Sequence, residues 1–379
     1  MNFAKKPIRV CHITSVHPVT DLRIFSKECR SLAETGYIVS LIIPKANCEK
    51  KDGIRIIGIL PSKKGRFFRM TITVWRVLQA ALKEHAQVYH FHDPELIPVG
   101  LILRFLGKKV IYDIHEDYPL AIQSRYWLPL WIRNPVSWLF KRFENFSVRY
   151  FNYIVSATPA IAQRFESIND NTVIVQNFPL LDDLSITENK IPWQDRLDAV
   201  VFIGAIDILR GIREMVEAIE LVQRKSNAHL ILAGNFSPES LKEKIQALSG
   251  WKKVEYRGFL SPKKQAELLK LVKAGLLFYH PLPHHQVSYP TKLFGYMAAG
   301  IPVILSDFVL WKEIVGGAGC GLVVDPLDPQ AIADSIVYLL EHPKEAEAMG
   351  TRGIKAVEKR YNWSKEEEKL LRLYKDLME

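Results

Sequence analysis

Short runs of Val and Ile, each followed by a longer segment of helical periodicity, recur along the whole chain and restrict the fold more than any other feature. Ile8–Ile13 predicts a strand, Arg23–Glu34 a helix stopped at Gly36, and Ile38–Ile43 a second strand. Val88–His92, Val110–Ile114, Ile154–Ala157 and Val173–Val175 continue the series. Runs that are apolar at consecutive positions belong to strands covered on both faces, the pattern of a parallel sheet with helices above and below. A polar stretch with Pro192, Leu181–Arg196, then interrupts the rhythm and reads as a linker. The alternation restarts with strand Ala199–Ile203, helix Ile212–Arg224 and strand His229–Ala233, followed by Val254–Tyr256, Gly275–Tyr279, Pro302–Leu305 and Gly321–Val324. The expected fold is α/β, two tandem doubly wound (Rossmann-like) domains, 1–180 and 197–355, joined by linker 181–196. A last helical segment, 356–379, is expected to cross back to the first domain. Ligands of such sheets bind beyond the carboxyl ends of the strands, so a cleft between the domains is the expected site.

Charge adds a second constraint. Lys and Arg number 51 against 41 Asp and Glu, a net of +10, and residues 1–190 alone hold 26 basic and 17 acidic groups, a net of +9. The first half therefore faces something anionic. Lys63–Lys83 interleaves Lys63, Lys64, Arg66, Arg69 and Arg76 with Phe67, Phe68 and Trp75. Arg125–Tyr153 carries Arg125, Arg133, Lys141, Arg142 and Arg149 among Trp127, Trp131, Trp138, Phe140, Phe143, Phe146 and Phe151. Cations flanking aromatics on segments too charged to span describe an anionic membrane surface as partner. The plainer alternative puts the aromatics in a core and the basic residues in water. Nucleic acid is set aside, since no zinc finger, RNP-type motif or basic heptad accompanies the charge. Cys11, Cys29, Cys48 and Cys320 fit no paired metal spacing and no disulfide framework, which suggests a reducing compartment. No secretory leader is visible, and the longest uncharged apolar run, Leu293–Leu305, is too short to span a bilayer. The expected location is cytoplasmic and peripherally membrane-associated.

The segment richest in chemistry is Phe278–Asp307, which reads as strand, loop, helix and strand. Pro290 suits a helix entry, Gly300 its stop, and Pro302 the restart as a strand. Helix Thr291–Ala299 thus offers a free N-terminus with Lys292 in its first turn, an arrangement suited to a diphosphate. An ordinary crossover with a solvated Lys gives the same local pattern.

Pro-Thr-Lys-Leu-Phe-Gly-Tyr-Met-Ala-Ala-Gly-Ile-Pro-Val-Ile, from Pro290, strongly resembles the donor-binding signature of the retaining GT-B glycosyltransferases of family 4. His12–Tyr37, Tyr89–Leu96, Val110–Pro119, Val201–Ile219, Gly258–Leu269 and Gly319–Ile336 resemble further family segments in the right order. The resemblance implies metal-independent transfer of a sugar from a nucleotide donor, here expected to be a UDP-sugar, with retained anomeric configuration. No cofactor or metal is expected. The acceptor would be a glycan or lipid-linked glycan of capsule, exopolysaccharide or cell-wall synthesis. Arg210 and Lys292 would stabilise the leaving diphosphate and His115 would contact the donor sugar. The donor-binding set implied is Gly204, Asp207, Gly234, Gly258, Phe259, Ser288, Pro290, Thr291, Leu293, Phe294 and Gly295, with Asp21 and Arg23 on the acceptor side.

Two departures stand out. The family's Glu-x7-Glu pair, whose second Glu binds the donor ribose, is replaced by Val287 and Gly295. Its Gly-Gly turn in the first domain is replaced by His-Pro-Val-Thr-Asp within Ser15–Asp21. These leave open a catalytically impaired nucleotide-sugar-binding partner. A nucleotide-sugar 2-epimerase of the same architecture is the other alternative, with Glu116 and Asp117 as its local carboxylate pair. His90, His92 and Asp93 raise a metal reading, which is set aside for want of a third ligand at a diagnostic spacing.

Overall fold

The structure is a computed structural model and describes residues 7–60, 69–124, 128–180 and 191–379. The chain divides into two compact units, Met1–Asn177 with Trp363–Glu379, and Phe178–Asn362.

The first unit is built on eight strands: β1 (Arg9–Ile13), β2 (Ile38–Pro44), β3 (Glu49–Lys51), β4 (Ile54–Ile59), β5 (Val88–Phe91), β6 (Lys109–Ile114), β7 (Tyr153–Ser156) and β8 (Thr172–Ile174). Their order is β3-β4-β2-β1-β5-β6-β7-β8, parallel except for the β3–β4 pair. The second unit has six parallel strands: β9 (Ala199–Ile203), β10 (His229–Ala233), β11 (Val254–Gly258), β12 (Ala274–Leu277), β13 (Val303–Ser306) and β14 (Gly321–Val324). They run β11-β10-β9-β12-β13-β14. Central strands such as β9 are buried at every position, as their unbroken apolar runs require. In both sheets the winding reverses once, between β1 and β5 and between β9 and β12, and a crevice opens there at the carboxyl ends.

The return to the first unit falls at Trp363 rather than at 356. Helix Pro343–Lys359 stays in the second unit, and Asn362 closes it by donating to the carbonyls of Val357 and Glu358. Helix Trp363–Met378 then packs on the first unit, with Trp363 Nε1 donating to Ser31 Oγ and Tyr374 fully buried. Most of linker 181–196 lies outside the described residues, as do Lys63, Lys64, Arg66, Phe67, Phe68, Arg125 and Trp127. The aromatics of the second basic segment divide. Phe151 is buried and Phe140 packs on the core, whereas Trp131, Trp138 and Phe146 are exposed, Trp131 at 79%.

Candidate functional site

In the second unit, the ends of neighbouring strands cross through glycine. Gly204 follows β9 with φ +133°, and Gly234 follows β10 with φ +154°, a region of backbone space that L side chains rarely enter. Gly204 N–H donates to Ala233 O at 2.7 Å and Gly234 N–H to Gly258 O at 2.7 Å. A Cβ on Gly234 would collide with Gly204 O, and one on Gly204 with Lys292 Nζ. The backbone there is stripped to make room for a cation.

Lys292 stands in the first turn of helix Thr291–Ala298, whose entry residue Pro290 leaves the N-terminus without a side-chain cap. Its Nζ is withdrawn from solvent, 4.6 Å from the Phe202 ring centroid, and makes no hydrogen bond. Burial, reinforced by the nearby Arg210 charge, brings its pKa down to about 7. An ammonium group without a partner beside an uncapped helix N-terminus suits an anionic ligand.

Arg210 reaches the same crevice from the loop after β9. Asp207 fixes that loop by accepting from Arg210 N–H at 3.0 Å, and its carboxylate lies 3.3 Å from Arg210 Nε. Arg210 Nη1 donates to Ala205 O, and the guanidinium sits 5.7 Å from the Tyr279 ring centroid. The loop after β12 is tied to this one by His280 N–H donating to Leu209 O at 2.8 Å and by His280 Nε2 at 3.1 Å from Glu214 Oε1. Tyr279, Phe202, His280 and Glu214 thus shape the site, although none belongs to the expected donor-binding set. Their clue lay in the strand and loop ends that flank Gly204 and Pro290.

The other expected donor residues fall into two groups. Gly258 (φ +62°) and the exposed Phe259 end β11 beside Gly234, and Thr291 is exposed. Ser288 is held by Trp311 Nε1 donating to its carbonyl at 2.8 Å. Leu293 and Phe294 are core residues: both side chains are buried, and Leu293 N–H is taken by Pro290 O. Phe294 stacks edge-on with Phe178 at 4.7 Å. Leu293 is therefore a core residue with its N–H already paired rather than an open contact for the donor. Gly295 faces open space, with nothing within 4 Å of an added Cβ.

In the first unit, His115, Asp21 and Arg23 come near one another at the crevice between β1 and β5, but Arg23 is not placed as expected. Arg23 is buried, its fork gripping Asp113 (Nε–Oδ2 2.9 Å, Nη2–Oδ1 2.8 Å) while Nη1 donates to Val175 O. It therefore does not face an acceptor. Burial opposes its charge, yet Asp113 and Glu28 hold its pKa above the usual arginine value. Asp113 is likewise penalised by burial but kept well below the carboxylate range by Arg23 and His115. His115 Nε2 lies 2.8 Å from Asp113 Oδ2, an acceptor, so Nε2 carries the proton and Nδ1 is a free acceptor. Asp21 caps the following helix, accepting from the N–H of Arg23 and Ile24 at 2.9 Å, and meets His17 Nδ1 at 3.0 Å. His17, the first residue of the His-Pro-Val-Thr-Asp turn, is partly exposed like Asp21, with its Nε2 3.4 Å from Asp93 Oδ1. Asp93 turns toward Thr14 and Ser15, away from His90 and His92.

Comparison with known proteins fits this geometry. The family model for glycosyl transferases group 1 matches residues 185–356, and that for Glycosyltransferase Family 4 matches 27–178. The chain is 25% identical over 222 residues to a phosphatidyl-myo-inositol mannosyltransferase of Mycobacterium leprae, 58% of each chain. It is 27% identical over 180 residues to O-antigen chain mannosyltransferase B of Escherichia coli, 46% of this chain and 44% of that one. The matches thus span only about half the length of these curated relatives. Sucrose-phosphate synthase of Thermosynechococcus elongatus superposes with TM-score 0.76 at 17% identity, covering 98% of this chain and 99% of that one. Anabaena HepE, solved in complex with UDP and glucose, superposes with TM-score 0.71 at 13% identity, covering 97% and 100%.

Proposed function

Because the chain belongs to the GT-B glycosyltransferases of group 1 and family 4, we propose that it moves a sugar from a nucleoside diphosphate donor, a UDP-sugar, to a glycan or lipid-linked acceptor. The observation that carries this reading is the unpartnered ammonium of Lys292 at a helix N-terminus, with Arg210 beside it. As the bond to the sugar breaks, charge builds on the diphosphate, and two preset cations with a helix end stabilise it without a metal ion. Gly204 and Gly234 let the backbone approach the phosphates. His115 supplies an acceptor nitrogen for a sugar hydroxyl, its tautomer held by Asp113.

A lipid-linked or glycan acceptor suits relatives named for phosphatidylinositol and O-antigen mannosylation. The first unit supports it. Helix Leu130–Ser147 exposes Leu130, Trp131, Trp138, Leu139 and Phe146 beside exposed Lys141 and Arg142, and Arg142 lies 5.3 Å from the Trp138 ring centroid. An exposed aromatic stripe edged by cations suits the anionic interface of a cytoplasmic leaflet. Among the described residues no helix is long and apolar enough to cross a membrane.

An epimerase would need mobile carboxylates, but Asp117 is engaged by Arg164 at 3.2 Å and that reading is not favoured. The test is incubation with radiolabelled UDP-sugars and membrane extract in EDTA. Label in the lipid or glycan fraction supports the proposal. Interconversion of free sugar nucleotide, or no reaction across the donor panel, would overturn it.

A further inference from the structure

Beneath the crevice of the first unit lies a second polar cluster that sugar transfer does not use. His12 on β1 is in register with His90 on β5, and His92 follows just beyond that strand's end. Glu28 descends on them from the helical segment Leu22–Cys29, and Tyr374 from helix Trp363–Met378. All three histidines and Glu28 are fully buried.

The hydrogen-bond roles in this cluster leave it incomplete. His92 Nδ1 lies 3.1 Å from Asp113 Oδ2, which only accepts, so Nδ1 carries the proton and Nε2 presents a lone pair inward. His90 Nδ1 meets Tyr374 Oη at 2.9 Å, while His90 Nε2 has no partner. Neither oxygen of Glu28 accepts a hydrogen bond, although Arg23 Nε lies 3.0 Å from Oε1. Glu28 Oε2 is ringed by His12 Nδ1 at 3.9 Å, His90 Nε2 at 4.0 Å and His92 Nε2 at 4.0 Å. These gaps are too long for hydrogen bonds and leave Oε2 without a donor. His92 Nε2 thus turns a lone pair toward the buried Glu28 carboxylate, an arrangement that a cation between them would relieve.

We propose that Glu28, His90 and His92, with His12 as a fourth ligand, hold one divalent cation of the zinc class as a structural centre of the first unit. Ligand atoms on a tetrahedral zinc ion lie about 3.4 Å apart. The contacts here bracket that value, from 3.0 Å between His12 Nδ1 and His92 Nε2 to 4.0 Å around Glu28. Three imidazoles and one carboxylate form a borderline donor set suited to zinc or cobalt rather than to magnesium or calcium. The outer shell is also in place. Asp113 accepts from His92 Nδ1 and Tyr374 Oη meets His90 Nδ1, so these two rings present Nε2 to the centre, while His12, with Nε2 at 3.4 Å from Tyr374 Oη, presents Nδ1. Asp113 itself lies within 4.8 Å of this ligand group but is committed to Arg23. The missing third ligand of the sequence reading was Glu28, more than sixty residues upstream of His90, with no spacing to announce it. A site closed on all sides acts on folding rather than on transfer.

The test is metal content of the full-length protein expressed in zinc-replete and in cobalt-replete defined medium, after washing with EDTA. The expected result is about one ion per chain, with intense visible absorption of tetrahedral cobalt and an absorption-edge spectrum showing imidazole and oxygen neighbours. Folded Glu28→Gln and His90→Gln proteins should lose that ion, while Cys48→Ser keeps it. If those variants do not fold, the wild-type edge spectrum decides alone. Substoichiometric metal in replete medium, sulfur at the metal, or full retention in folded His90→Gln would overturn the proposal. Any of these would leave a metal-free network in which His12 donates to His92.

Discussion

Replacing Lys292 by Met removes a charge that the folded apoprotein holds at a cost. Its pKa is brought from 10.5 down to about 7 by burial and by Arg210. Each pKa unit corresponds to about 1.4 kcal/mol, so holding the ammonium costs of order 5 kcal/mol below pH 7. The sign follows from proton counts. Between pH 7 and 10.5 the unfolded chain keeps the lysine proton while the folded one has released it, so stability rises with pH across that window. At pH 9 the remaining cost is of order 2 kcal/mol. Lys292→Met should therefore stabilise the unliganded protein more at pH 6 than at pH 9, by about 3 kcal/mol. For a unit of this size that is a difference of roughly 6–12 °C in Tm. Thermal denaturation of both proteins at the two pH values measures it directly. A Met variant that is less stable than wild type at pH 6, or a gap that does not depend on pH, would refute the reasoning that Lys292 is an unpaired buried cation.

Other outcomes follow from the same site. Gly295→Glu should tighten UDP binding by up to about tenfold, because an added side chain meets open space and restores a carboxylate where the family binds ribose. Unchanged or weaker affinity by calorimetry would sink that idea. Gly234→Ala should destabilise the second unit by several kcal/mol through positive φ and collision with Gly204 O, seen as a large fall in Tm; a fall of only a degree or two would contradict the backbone crossing. Trp131→Ser with Trp138→Ser should reduce co-flotation with anionic liposomes at low salt while leaving Tm within a few degrees, because both side chains are exposed. Equal flotation of wild type and variant would remove the proposed membrane face.

Legibility in the sequence followed the range of each interaction. Apolar runs rich in Val and Ile mark β2 and β9, because burial on both faces is written into a single strand, and the uncharged runs of β1 and β5 carry the same signal more weakly through their histidines. The strand β4 was passed over: its Ile54-Arg55-Ile56 opening alternates, and it pairs with a three-residue antiparallel β3 that no pattern marks. Lys292 was legible from its motif. Its unpaired state was not, since Phe202 and Gly204, some ninety residues earlier, enclose its ammonium. Arg23 misled for the same reason. Beside Asp21 in sequence it seemed to share an exposed loop, yet its partner is Asp113, ninety residues on, and the pair is buried. Side-chain roles set by contacts between distant strand ends are absent from local pattern, and the His12, Glu28, His90 and His92 cluster is the extreme case.

The central claim is that the second unit holds a nucleoside diphosphate through Lys292 without a metal ion. Its most direct test is calorimetric titration of UDP in EDTA at pH 7 and pH 9, on wild type and on Lys292→Met. If a bound diphosphate keeps Lys292 charged, the protonated fraction available in the free protein falls from about a half to about a hundredth between those pH values. The account predicts one UDP per chain, bound roughly 50-fold more weakly at pH 9, with both the affinity and its pH dependence lost in the variant. Binding that needs an added divalent cation, or a Lys292→Met protein that binds UDP as tightly as wild type, would contradict it.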